Sequence, residues 1–194
     1  FQLEGTEVET YCALSQYGYE YDEDQMVQLQ KHSRGNGISV YFVGDGWDAE
    51  SIASGAYMNL CRNDMEYFFG LPPYDRLRDY FDVYACVALS QETGVSTMNV
   101  SRDTKFGTFY TAGEESCCCG YPARLIPYED EVFSYISNLT GRQTGYWLWE
   151  GDMWQSLVVL IPNTTDYTGC TYYYNDGSVI SLCPPSERSY PNDT

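Results

Sequence analysis

Histidine is almost missing from this chain: His32 is the only one in 194 residues. Cations are scarce too, with 10 Lys+Arg against 28 Asp+Glu, giving a formal charge of −18 and a pI near 4.1. That balance excludes nucleic-acid binding, which depends on cationic contacts to phosphate. It equally disfavours docking on anionic lipid. No apolar run approaches the roughly 20 residues of a membrane-spanning helix, so no membrane insertion is expected. No signal peptide stands at the N-terminus, and the sequence reads as a soluble mature chain or a piece of one. Catalytic motifs are equally absent. There is no GxGxxG or Walker pattern, no Gly-x-Ser-x-Gly elbow and no CxxC. A Ser/His/Asp or Cys/His arrangement would have to use His32, which sits in the polar stretch Lys31–Arg34 and reads as a surface residue.

What is present is an ordinary domain's worth of apolar residues, 43%, with 20 tyrosines among the aromatics. That composition excludes a disordered acidic tail. Cysteine is abundant: Cys12, Cys61, Cys86, Cys117, Cys118, Cys119, Cys170 and Cys183. An even count suits disulfides, whose connectivity the spacing leaves open. A zinc reading needs CxxC-like spacing, usually with histidines, and fits less well. Disulfides imply an oxidising setting, so the expected location is secreted or extracellular. Four sequons, beginning at Asn99, Asn138, Asn163 and Asn192, are glycosylation candidates consistent with it.

Residues 1–34 form an acidic, Tyr-rich lead-in, expected to be irregular or an edge strand. From residue 35 onward strands and helices alternate. Ile38–Val43 reads as a buried strand and ends at Gly44-Asp45-Gly46, a sharp turn. Asp48 is a plausible N-cap for a helix running to about Phe69, with Ile52, Tyr57, Cys61, Met65 and Phe69 along its apolar stripe. Gly70 and Pro72-Pro73 stop it. A second strand is expected over Phe81–Ser90, then some forty loop-like residues containing the cysteine triplet, then a helix at about Glu129–Leu139. Ser156–Pro162 is almost wholly apolar, as a strand covered on both faces should be. Asn175-Asp176-Gly177 between two strand-like runs signals a C-terminal hairpin. The expected fold class is α/β: a mostly parallel sheet covered by helices, with that hairpin and disulfide-pinned loops.

Few residues offer chemistry. Gly44-Asp45-Gly46 at a strand-to-helix turn has the geometry to approach a phosphate or a metal, though a tight turn needing glycine torsions explains it as well. Asp45, Asp48 and Glu50 make a calcium reading conceivable, without the spacing of an EF-hand loop. Asp22, Glu23 and Asp24 read as a solvated acidic patch. Trp147, Trp149 and Trp154 suit either a carbohydrate groove or packing. No complete catalytic constellation emerges from the residues themselves.

Longer strings carry more information. Met26–Gly37 followed by Val40–Gly46 resembles the opening of the catalytic domain in the IgA-peptidase family of secreted bacterial zinc metallopeptidases. Tyr57–Leu60, Met65–Phe69, Pro73-Tyr74, Arg78–Tyr84, Glu92–Val95, Thr104–Thr108 and Leu157–Tyr167 continue the resemblance in order, over about residues 24–190. The resemblance implies a metallopeptidase-like α/β domain over 35–194, with Gly44, Asp45 and Gly46 as its signature turn. It also implies an HExxH-type helix supplying zinc ligands and the glutamate that activates water. This chain has no such motif, so no catalytic or metal residue is carried over, and zinc is expected only if a downstream segment exists.

Two functions follow as expectations. One is the N-terminal part of a secreted zinc metallopeptidase-like protein, catalytically incompetent as the isolated chain. The alternative is a non-catalytic extracellular structural glycoprotein, disulfide-stabilised and self-assembling, with fibres as one form, through a sheet face left uncovered. The expected partners are a protein or peptide, or further copies of the chain.

Overall fold

The computed structural model describes residues 21–112, 123–141, 156–165, 170–173 and 179–182. Their centre is a six-stranded sheet with the order β1-β3-β2-β7-β9-β8. The strands are β1 (Met26–Gln30), β2 (Ile38–Asp45), β3 (Phe81–Cys86), β7 (Ser156–Pro162), β8 (Cys170–Tyr173) and β9 (Val179–Leu182). β3, β2, β7 and β9 run parallel, while β1 and β8 close the two edges antiparallel. The mostly parallel α/β sheet expected from the sequence is therefore present. β8 and β9 pair as the expected C-terminal hairpin, with Cys170 opposite Leu182; the turn at Asn175–Gly177 lies outside the described residues. The lead-in supplies edge strand β1, as its reading allowed.

Strand alternation divides the core in two. Val40 and Phe42 of β2, Val83 and Ala85 of β3, and Val159 and Ile161 of β7 face one side. There they meet α1 (Ala49–Ala53) and α2 (Ala56–Gly70), which bury Ile52, Tyr57, Met58, Cys61, Met65 and Phe69. Tyr41, Val43, Cys86, Val158 and Leu160 face the other side, against Phe106 and against Val132, Phe133, Tyr135 and Ile136 of α4 (Glu129–Thr140). Each fully buried aliphatic or aromatic side chain of this kind contributes about 1.5–3 kcal/mol through removal from water. Over β2, β3 and β7 neither face of the sheet is open. The uncovered sheet face on which the self-assembling alternative relied is absent from these strands.

Exposed apolar side chains gather elsewhere. Leu71, Tyr74 and Leu77 lie where α2 gives way to α3 (Tyr74–Leu77), and Ile38 and Tyr80 lie where β2 and β3 begin.

Two further differences from the expected elements have local causes. Asp48 does cap a helix, accepting from the Ser51 N–H at 2.9 Å, but that helix ends at Ala53. Gly55, at φ 80°, breaks the run before α2 begins. The second strand stops at Cys86 rather than Ser90. The following stretch, expected to be loop, contains a three-stranded sheet of β4 (Ser96–Thr97), β5 (Phe109–Ala112) and β6 (Ala123–Ile126). Such short strands carry almost no periodic signal of their own.

Candidate functional site

The carboxyl edge of the parallel strands is where open α/β sheets bind ligands, at the strand whose two neighbours are reached over opposite faces. Here that strand is β2. The chain leaves it through α1 and α2 on one face to reach β3, and arrives at β7 through α4 on the other.

Asp45 closes β2 and is completely buried. Its Oδ1 accepts from the backbone N–H groups of Gly46 and Phe106, each at 3.0 Å, and from Ser90 Oγ at 3.4 Å. Its Oδ2 accepts from the Thr108 N–H at 2.9 Å and Thr104 Oγ1 at 3.1 Å. Ser90 Oγ also accepts from the N–H groups of Gly46 and Lys105. A carboxylate receiving five donors is well compensated for burial. It has no lone pair left for a cation, so the calcium reading through Asp45 does not hold. Its role is to pin the 104–108 turn against the end of β2.

Gly46 is fixed by contact as well as torsion. At φ 72°, an added Cβ would stand 2.1 Å from the Gly94 carbonyl oxygen. Its own carbonyl accepts from the Gly94 N–H at 2.9 Å and from Asn163 Nδ2 at 3.0 Å. Asn163 Nδ2 donates a second bond to Thr93 Oγ1 at 3.0 Å. Gly44 is equally constrained, because a Cβ there would meet Trp47 and Tyr57. The tight-turn reading of Gly44-Asp45-Gly46 therefore accounts for all three residues.

Beside this hub, on the α4 face, an open cleft of about 350 Å³ is lined by Asp24, Lys105, Phe106, Tyr135, Asn138 and Leu139, among others. Lys105 Nζ lies 3.0 Å from Glu23 and 3.4 Å from Asp24, and 5.5 Å from the centre of the Tyr135 ring. Partial burial alone would lower the pKa of this ammonium; Glu23 and Asp24 outweigh it and raise the pKa. Burial pushes the Tyr135 hydroxyl up, with Cys86 and Asp24 adding to the shift. Asp24 holds a left-handed φ of 62°. The acidic patch of residues 22–24 is exposed, as expected, and it also anchors Lys105.

The only histidine is elsewhere. His32 Nδ1 lies 2.7 Å from Asp82 Oδ2, and the backbone N–H of His32 donates to Asp82 Oδ1 at 2.9 Å. It is partly buried and hydrogen-bonded to Asp82, not a free surface residue. Asp82 pairs with Ser39, six residues before Asp45, which puts the histidine about 20 Å from the hub along the strand. Among the described residues no three His, Cys, Asp or Glu side chains converge to hold a metal. The donor set among these residues does not fit a catalytic zinc.

Of the disulfide candidates, Cys61 and Cys86 are buried free thiols, which corrects the pairing expected for these two. Cys61 packs in the α2-face core and Cys86 in the α4-face core, so each serves as a small apolar side chain. Burial raises both pKa values, that of Cys86 to about 12. Cys170 begins β8. Cys12, Cys117, Cys118, Cys119, Cys183, Asn192, Trp147, Trp149 and Trp154 all lie outside the described residues. Asn99 and Asn138 are exposed, whereas Asn163 is committed to the hub. Residue spacing carries no sign of the pairing of Asp45 with the 104–108 turn, or of the cleft around Lys105. No helix among the described residues is long and apolar enough to cross a membrane.

No model of a known protein family matches the chain, and no curated protein matches it.

Proposed function

We propose that this chain is the scaffold portion of a secreted zinc-metallopeptidase-like protein, supplying the sheet and its pinned turn and not the zinc ligands. The observation that carries the reading is the position of Gly44-Asp45-Gly46. The turn singled out by the resemblance stands at the carboxyl end of β2, where α/β folds present their ligands. The donor network around Asp45 gives that turn the rigidity a neighbouring catalytic segment needs. In this reading the isolated chain is catalytically incompetent, and its partner is a protein or peptide segment bearing the metal centre.

The test is the intact mass and metal content of the native protein. A polypeptide well above 22.1 kDa, with an HExxH segment and one equivalent of zinc, is the expected result. A native mass equal to this chain plus glycans, with no stoichiometric zinc and with concentration-dependent assembly, would overturn it in favour of a structural glycoprotein.

A further inference from the structure

Spontaneous deamidation of an asparagine needs the N–H of the next residue free to attack the side-chain carbonyl carbon, and room for the ring that results. Folding therefore grades the asparagines of a chain. Asn59 and Asn63 lie inside α2 and Asn138 inside α4, so the N–H after each is held in a helical hydrogen bond. The N–H after Asn99 donates to Thr97 Oγ1 at 3.2 Å, and the one after Asn163 to the Pro162 carbonyl at 2.8 Å. The related pair Asp45-Gly46 is closed by its own network, with the Gly46 N–H shared between Asp45 Oδ1 and Ser90 Oγ.

Asn36-Gly37 differs. It lies exposed in the turn between β1 and β2. That turn is held at Ser33 and Arg34, whose N–H groups both donate to the Asp79 carbonyl, at 2.8 and 3.0 Å. Among the described residues neither the Asn36 amide nor the Gly37 N–H has a hydrogen-bond partner. Glycine puts no side chain in the way of the attack. Gly37 also sits flush against the one histidine: at φ 81°, a Cβ there would collide with Asp82 Oδ2 and stand 2.7 Å from His32 Nδ1.

We propose that Asn36 is a spontaneous deamidation site whose isoaspartate product displaces the His32–Asp82 pair. The Gly37 nitrogen bonds to Asn36 Cγ and gives up its proton. The bond from Cγ to the amide nitrogen breaks, and its electron pair leaves with ammonia. Water then opens the succinimide. Opening at the side-chain carbonyl gives aspartate; opening at the main-chain carbonyl gives isoaspartate, whose backbone runs through Cβ and Cγ. Isoaspartate thus adds one methylene to the main chain immediately before Gly37, where the backbone already touches Asp82 and His32. Nothing in this chemistry depends on the scaffold role.

The experiment ages the folded protein in mildly alkaline buffer and follows each asparagine by peptide mapping, with isoaspartate labelled by an isoaspartyl methyltransferase. Loss of the parent Asn36 peptide is expected, ahead of those containing Asn59, Asn63, Asn99, Asn138 and Asn163. An intact Asn36 in folded protein, or any of those five converting as fast, would overturn the assignment. Displacement of the pair is read by proton NMR of the imidazole, unambiguous because His32 is the only histidine. Aged protein should show a second set of His32 ring signals that aged Asn36→Gln lacks. A single unchanged set in protein carrying isoaspartate at 36 would overturn the coupling to His32.

Discussion

At the scale of single residues, Asp45 is the most consequential. Removing its carboxylate strands the N–H groups of Phe106 and Thr108 in the interior. Asp45→Ala should cost about 3–5 kcal/mol, measured as lost stability in urea unfolding. A loss below about 1 kcal/mol would mean that the turn holds without it. Beside it, the hydroxyl of Thr108 is fully buried with no hydrogen-bond partner among the described residues. Thr108→Val keeps the shape and removes an unpaired polar atom, so it should be neutral or stabilising by about 1 kcal/mol in the same assay. The thiols give a pH prediction. A thiol whose pKa is raised by folding holds its proton more tightly in the native state, so stability declines as pH rises above the unfolded value near 8.5. For Cys86 the decline continues towards about 12. Cys86→Ala should flatten the fall in unfolding free energy measured between pH 8 and 10. The turn at Gly44–Gly46 was legible from its glycines alone. The hub was not, because Thr104, Phe106 and Thr108 lie 59 to 63 residues away from Asp45.

At the scale of elements, burial decides which ones the pattern reveals. Ser156–Pro162 was delimited correctly because β7 is apolar on both faces, and its bounds coincide with the expected strand. The helix expected over Glu129–Leu139 extends one residue further, to Thr140. β4, β5 and β6 escaped because two- to four-residue strands cannot show a period of two. The break at Gly55 escaped because the apolar stripe continues across it. Two glycine substitutions separate conformation from space. Gly46→Ala meets both a left-handed φ and the Gly94 carbonyl, and should cost about 3 kcal/mol or more, or prevent folding. Gly70→Ala, the last residue of α2 with open space around it, should gain about 0.5–1 kcal/mol. Thermal unfolding of the pair checks both, and equal signs would contradict the argument.

At the scale of the molecule, a charge of −18 on 194 residues acts on every state of the chain. Self-repulsion is strongest when the chain is compact, and salt screens it. Raising sodium chloride from 10 to 200 mM should therefore raise the melting temperature; an unchanged value would mean that local pairs such as Lys105–Glu23 already balance the field. The sheet covered on both sides of β2, β3 and β7 moves the question of self-association away from the sheet face. Among the described residues, Leu71, Tyr74 and Leu77 are part of the apolar surface that stays exposed, with Met98, Val100 and Tyr128 elsewhere.

The sequence by itself determined the acidity, the alternation of strands and helices, the C-terminal hairpin and the scarcity of histidine. These depend on composition and on local period, which are properties of neighbours along the chain. Tertiary structure alone decided the strand order, the free thiols of Cys61 and Cys86, the pairing of His32 with Asp82 and the closure of the turn around Asp45. Each of these joins residues far apart in sequence. Contacts of that kind are set by which faces must be buried together and which buried polar groups must find partners.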